Sequence, residues 1–156
     1  MCIRDRDGSS RGNPGPGGYG IVMEDCKTGF AKQYSQGFRK TTNNRMELLA
    51  VIEALKKLKK NRLKITIFTD SKYVVDSVEK KWVFKWKSIR FKNKKNVDLW
   101  LEFLKIQELN NISFKWIKGH NNHPQNEICD KLAFKASENK PLLVDTGYEN
   151  NLNKLF

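Results

Sequence analysis

Residues 63–71 read LKITIFTDS. Ile65, Thr66, Ile67, Phe68 and Thr69 form a β-branched and aromatic run, the composition of a short strand. No turn residue separates that run from Asp70 and Ser71, and Ser71 is a natural cap for a helix over 72–78. The stretch predicts a strand that passes directly into a helix, with a carboxylate at its carboxyl end. Ligands of open α/β sheets gather at such ends, near a switch in strand order.

The flanking sequence supports an α/β reading. Residues 44–60 place Leu48, Val51, Ile52, Leu55 and Leu58 on one helical face, with lysines on the other. Before them, a Gly/Pro loop over 12–20 leads into a strand over 19–24 (YGIVME). A turn at 25–29 and a returning strand over 30–39 follow. After residue 78 comes KKWVFKWKSIRFKNKK (80–95), basic and aromatic with no acid. Val97, Trp100, Leu101 and Leu104 mark another amphipathic helix, and 112–117 (ISFKWI) reads as a strand. A loop over 119–124 precedes a helix over about 126–137, and the tail from Pro141 reads as irregular. Strands alternating with helices after an antiparallel hairpin predict a mixed sheet in one domain.

Composition narrows the partners. The 156 residues carry 30 Lys and Arg against 17 Asp and Glu, a formal charge of +13. Such a surplus favours a polyanion and does not set a fold. Cys2, Cys26 and Cys129 show neither zinc-ligand spacing nor a paired framework, which points to a reducing, cytoplasmic setting. No apolar run nears the roughly 18 residues of a membrane span, and residues 1–20 lack the apolar segment of a secretory signal.

Four acids sit in settings that do not suit solvated charge. Asp7 precedes a Gly-rich turn, and Asp70 ends the strand at 63–69. Glu47 opens a helix with Ala50 and Ala54 on its own face, leaving room for a close neighbour. Asp130 has Ala133 and Phe134 one turn on. Any one of them alone reads as a cap or a surface charge. Converging carboxylates repel unless cations intervene, and oxygen donors without His or Cys suit Mg²⁺ or Mn²⁺. Two such ions roughly 3.5–4 Å apart can activate a water and stabilise the leaving oxygen of a phosphodiester.

Taken together, DGSSRGNPGPGGYG (7–20), TTNNRMEL (41–48), TDS (69–71), KNVDLW (95–100), WIKGHNNHPQNEICDKLA (116–133) and DTGYE (145–149) resemble the type 1 ribonuclease H family, in its bacterial form. The blocks occur in the family's order and span nearly the whole chain from residue 7. The resemblance implies a five-stranded mixed sheet of order 3-2-1-4-5 with helices on both faces. It implies endonucleolytic hydrolysis of the RNA strand of an RNA·DNA hybrid, leaving 5′-phosphate and 3′-hydroxyl ends. Asp7, Glu47, Asp70 and Asp130 match the family's metal-binding carboxylates for two Mg²⁺ ions, with Mn²⁺ a possible substitute. His120 matches the loop histidine that assists proton transfer or product release.

The same resemblance extends to substrate contacts. Gly8 and Ser9 belong to a loop whose backbone can approach a nucleic acid closely. Asn13, Asn43 and Asn44 resemble the hybrid-groove amides, and an amide can donate to and accept from a 2′-hydroxyl, the group that distinguishes RNA from DNA. Residues 80–95 match the basic handle, with Lys85, Lys87, Lys94 and Lys95 toward DNA-strand phosphates. Trp82 and Trp86, four apart, read as helix packing. His123 reads as structural. Lys72 stands where the family usually has a neutral polar residue. A monomer is the default expectation. Rival readings are a non-catalytic nucleic-acid-binding module, an integrase-like transferase and a domain of a reverse transcriptase. The complete set of carboxylates and the closing DTGYE favour a free-standing ribonuclease H.

Residues 1–6 (MCIRDR) do not fit that frame. The segment before Asp7 should be an apolar central strand, covered on both faces. Arg4 and Asp5 fall where large apolar side chains belong, and a buried unpaired charge costs several kcal/mol. The expectation is that residues 1–6 are a truncated or spliced-on end, or a damaged first strand.

Overall fold

The computed structural model describes residues 1–8, 12–118 and 124–153, with the backbone alone described at 4–8 and 153. Its strands are β1 (Cys2–Gly8), β2 (Gly15–Glu24), β3 (Ala31–Thr41), β4 (Lys64–Thr69) and β5 (Asn111–Trp116). The helices are α1 (Asn43–Lys56), α2 (Lys72–Glu79), α3 (Trp82–Ser88), α4 (Val97–Gln107), α5 (Pro124–Glu138) and α6 (Thr146–Asn153). The strands form one sheet of order β3-β2-β1-β4-β5, as the resemblance implied. β1, β2 and β3 pair antiparallel, while β1–β4 and β4–β5 are parallel.

The first hairpin closes through Asp25, whose N–H donates to the Phe30 carbonyl at 2.9 Å. Gly29 supplies the left-handed residue at φ +73. β2 begins at Gly15, inside the stretch expected to be loop. Its glycines pair with β3 and clear space for a helix. A Cβ on Gly18 would lie 2.9 Å from the Ala133 carbonyl, and one on Gly20 would collide with the Cys129 carbonyl. α5 therefore packs directly on the backbone of β2, through the buried small residues Cys129 and Ala133, and its buried Ala136 comes down on Gly37 of β3.

Side chains alternate along a strand, so Tyr19, Ile21 and Met23 occupy the opposite face. There they join Ile3, Ile65 and Ile67 beneath Leu48, Val51, Ile52 and Leu55 of α1. Trp100 and Phe103 of α4, both fully buried, extend this core toward β5. The two helical layers thus cover β1 from both sides.

Three local readings change. α1 stops at Lys56, where the Lys57 N–H turns back to the Ala54 and Leu55 carbonyls. α5 starts at Pro124, whose fixed φ suits a first helical position. The tail expected to be irregular contains α6. Asp145 caps it, its carboxylate accepting from the Tyr148 N–H at 3.2 Å. The polar sequence TGYENNLN has no apolar stripe to announce a helix; the cap and its tertiary anchors hold it.

Candidate active site

β1 and β4 are parallel neighbours, with Ile3 level with Ile67 and Arg4 level with Phe68. Continuing that register brings Asp70 level with Arg6, one residue short of Asp7. Asp7, the penultimate residue of β1, and Asp70, directly after β4, thus stand at the carboxyl ends of adjacent strands. Glu47 lies in the second turn of α1, and Asp130 in α5; both helices pack on β1, from opposite faces. Glu47, Asp70 and Asp130 are each half-buried. Ala50 and Ala54 are fully buried beneath Glu47, as their spacing predicts. Cys129 and Ala133 are buried beside Asp130, but Phe134 is 43% exposed, so only Ala133 supplies the expected apolar contact. Full burial of Cys129 also shields its thiol from solvent.

Asp70 is fixed through its backbone. Its carbonyl accepts from the Trp116 indole N–H at 3.0 Å, and the next residue, Ser71, caps α2 by accepting from the Val74 N–H at 3.2 Å. One carboxylate oxygen of Asp70, Oδ1, is buried. The donor set Glu47, Asp70 and Asp130 is all carboxylate oxygen, which fits a hard divalent cation. Among the described residues no three acidic, His or Cys side chains group tightly enough to hold a metal ion. The fourth expected ligand, Asp7, has only its backbone described. Ser9 and His120, like His123, lie outside the described residues; Gly8 ends β1.

The amides divide. Asn13 Oδ1 accepts the Asn43 N–H at 3.1 Å, tying the loop before β2 to the start of α1. Asn44 is exposed one residue on. In the basic segment, α3 is anchored by the fully buried Val83 and by Trp86, which meets Trp100 edge-on at 6.1 Å. Trp82 is 40% exposed, with Lys80 over its ring, so packing against the core accounts for Trp86 and not for Trp82. Lys85, Lys87, Lys94 and Lys95 are exposed. Lys87 lies 3.9 Å from Glu108, and Lys94 sits over the Trp86 ring at 5.2 Å.

One feature of the site's scaffold is invisible in the sequence. Arg45, only 3% exposed, links α1, α4 and the cap of α6. Its Nε and Nη2 donate to Asp145 at 2.8 and 3.0 Å, and its Nη1 and Nη2 to Asp98 at 2.9 and 2.7 Å. Thr41 Oγ1 adds a 2.7 Å bond to Asp145. Gly147 admits α6 to this cluster, since a Cβ there would strike Asp98 and Arg45. Burial pushes the Asp98 carboxyl up, but the Arg45 hydrogen bonds and charge outweigh it and hold it below the ordinary carboxylate range. The cluster fixes the first turn of α1 and with it Glu47. Its three members are far apart in sequence, and no local spacing relates them.

This is the build of an α/β enzyme whose acidic residues stand at the carboxyl ends of neighbouring parallel strands. The RNase H family model matches residues 6–138. Ribonuclease H of Desulforamulus reducens is 49% identical over 144 residues, covering 89% of each chain. Ribonuclease HI of Haemophilus ducreyi is 47% identical over 148 residues, covering 92% of this chain and 94% of the relative. Among solved structures, LC9-RNase H1, a type 1 RNase H with the type 2 active-site motif, superposes with a TM-score of 0.74 at 31% identity. It matches 96% of this chain and 79% of its own. LC11-RNase H1, in complex with RNA/DNA hybrid, gives 0.70 at 25% identity, over 88% and 96% of the two chains. The chain belongs to the ribonuclease H family of enzymes, as a bacterial type 1 member.

Proposed function

We propose that this chain is an endonuclease that hydrolyses the RNA strand of RNA·DNA hybrids, leaving 5′-phosphate and 3′-hydroxyl ends. The observation that carries the reading is the placement of half-buried Glu47, Asp70 and Asp130 on elements that converge on the carboxyl ends of β1 and β4, in a ribonuclease H chain. A related protein, LC11-RNase H1, is seen in complex with RNA/DNA hybrid.

Asp7, Glu47, Asp70 and Asp130 would hold two Mg²⁺ ions, or Mn²⁺ in their place. Bound there, such ions supply the Lewis acidity that activates a water and stabilises the leaving oxygen. The protein's own part is placement. The Trp116 indole restrains Asp70 through its backbone, and the Arg45 cluster restrains the helix that carries Glu47. Asn13, Asn43 and Asn44, together with Gly8 and Ser9, contact the hybrid, and the amides read the 2′-hydroxyl. Lys85, Lys87, Lys94 and Lys95 neutralise phosphates of the DNA strand, bringing affinity without sequence choice. His120 moves a proton or speeds product release. The chain works as a single-domain monomer in the cytoplasm.

The test is cleavage of an end-labelled RNA·DNA hybrid with Mg²⁺, beside Asp70→Asn and a chelator control. Cutting confined to the RNA strand and lost in both controls is expected. Cutting that persists with chelator would refute the metal reading. A chain that binds hybrid with chelator present and never cuts it would be a binding module instead.

A further inference from the structure

Lys72 departs from the neutral residue expected after Asp70 and Ser71, and its surroundings give the departure a use. It is the first residue of α2, two positions beyond Asp70. A cation at that position opposes the helix dipole, so the helix itself does not call for a lysine there. Its ammonium instead lies 4.8 Å from the centre of the Trp116 ring. That ring is fixed in turn: Trp116 pairs with Thr69 in the sheet, and its N–H donates to the Asp70 carbonyl at 3.0 Å. The indole is 44% exposed. It therefore forms a platform at the sheet's carboxyl edge, against the residue proposed to bind metal.

A cation held over an aromatic face keeps its N–H groups for other acceptors, because the attraction to the ring uses charge and not a directed hydrogen bond. A carboxylate partner would have taken up that capacity. The acceptors that a nuclease brings to this edge are phosphate oxygens. We propose that Lys72, propped on Trp116, binds a phosphate of the nucleic-acid strand lying across Asp70. The inference rests on the hybrid-nuclease reading and deepens it, adding one affinity contact within the active site itself.

The experiment measures hybrid binding against NaCl concentration, in chelator so that no strand is cut, together with steady-state cleavage in Mg²⁺. Wild type, Lys72→Gln, Lys72→Arg and Lys59→Gln are compared; Lys59 is an exposed lysine beyond the end of α1. Loss of one phosphate contact should make the slope of log K against log salt shallower by about 0.7–0.9 in Lys72→Gln. KM should rise several-fold at low salt while kcat stays within about twofold, the mark of a binding contact. Lys72→Arg should keep the wild-type slope, and Lys59→Gln should leave it unchanged. A Lys72→Gln slope equal to wild type, in a chain that cuts hybrid normally, overturns the inference alone. An equal loss in Lys59→Gln overturns it too, by showing only a general charge effect. Wild type that neither binds nor cuts hybrid would remove the nuclease reading and this inference with it.

Discussion

Asp145→Ala should cost the fold clearly more than Asp98→Ala, the loss of the other carboxylate in the Arg45 cluster. Asp145 is 7% exposed and accepts four hydrogen bonds, from Arg45 Nε, Arg45 Nη2, Thr41 Oγ1 and the Tyr148 N–H. Removing it strips the cap from α6 and leaves the Arg45 guanidinium buried beside one carboxylate instead of two. Breaking a buried pair in this way costs about 3–5 kcal/mol. For a chain of this length that is a fall in Tm of roughly 6–20 °C. Asp98→Ala removes an equally close pair of bonds to Arg45, but Asp98 is 42% exposed. Solvent already screens that arm, so its loss should cost about 1 kcal/mol, or roughly 2–4 °C. Thermal melts followed by circular dichroism, with urea titrations for the free energies, compare the two variants. Equal losses from Asp98→Ala and Asp145→Ala would refute the argument that burial sets the strength of each arm. So would an Asp145→Ala melt within about 1 kcal/mol of wild type.

Two other outcomes follow from the same physics. The Asp98 carboxyl is held below its ordinary value of 3.8, so its contribution is fully present above that pH and lost as pH falls through the lower folded value. The Tm gap between wild type and Asp98→Asn should therefore narrow below about pH 4, and a gap constant with pH would contradict the assignment. Asp5 pairs with the fully buried Ile21 in the central strand, two residues after the fully buried Ile3. An apolar residue belongs at such a register position, so Asp5→Ile should raise the melting temperature by several degrees, each kcal/mol being worth about 2–4 °C. Identical cooperative melts would show that the charges in β1 are tolerated at no cost.

The sheet was legible because its signals are local. Residues 63–69 carry a strand's composition, Ser71 marks the next helix, and Gly29 closes the hairpin as its position suggests. Strand order did not follow from those signals; it came with the family resemblance, and the sheet agrees with it. Periodicity misjudged the ends. Nothing in KLKK (57–60) told α1 to stop at Lys56, and the glycines of β2 looked like a loop. They belong to a strand because a helix distant in sequence rests on them. α6 escaped because a polar helix held by one capping carboxylate has no apolar period to detect.

By itself the sequence determined which residue types were available: a set of carboxylates, a basic and aromatic segment, and a family's motifs in order. Those are matters of composition and short spacing, which a linear chain records directly. Tertiary structure alone decided which charges met. Arg45, Asp98 and Asp145 became one buried cluster, and Trp116 became both the anchor of Asp70 and the platform under Lys72. Contacts between residues tens of positions apart depend on how strands and helices pack, and that geometry is fixed only when the chain closes on its core.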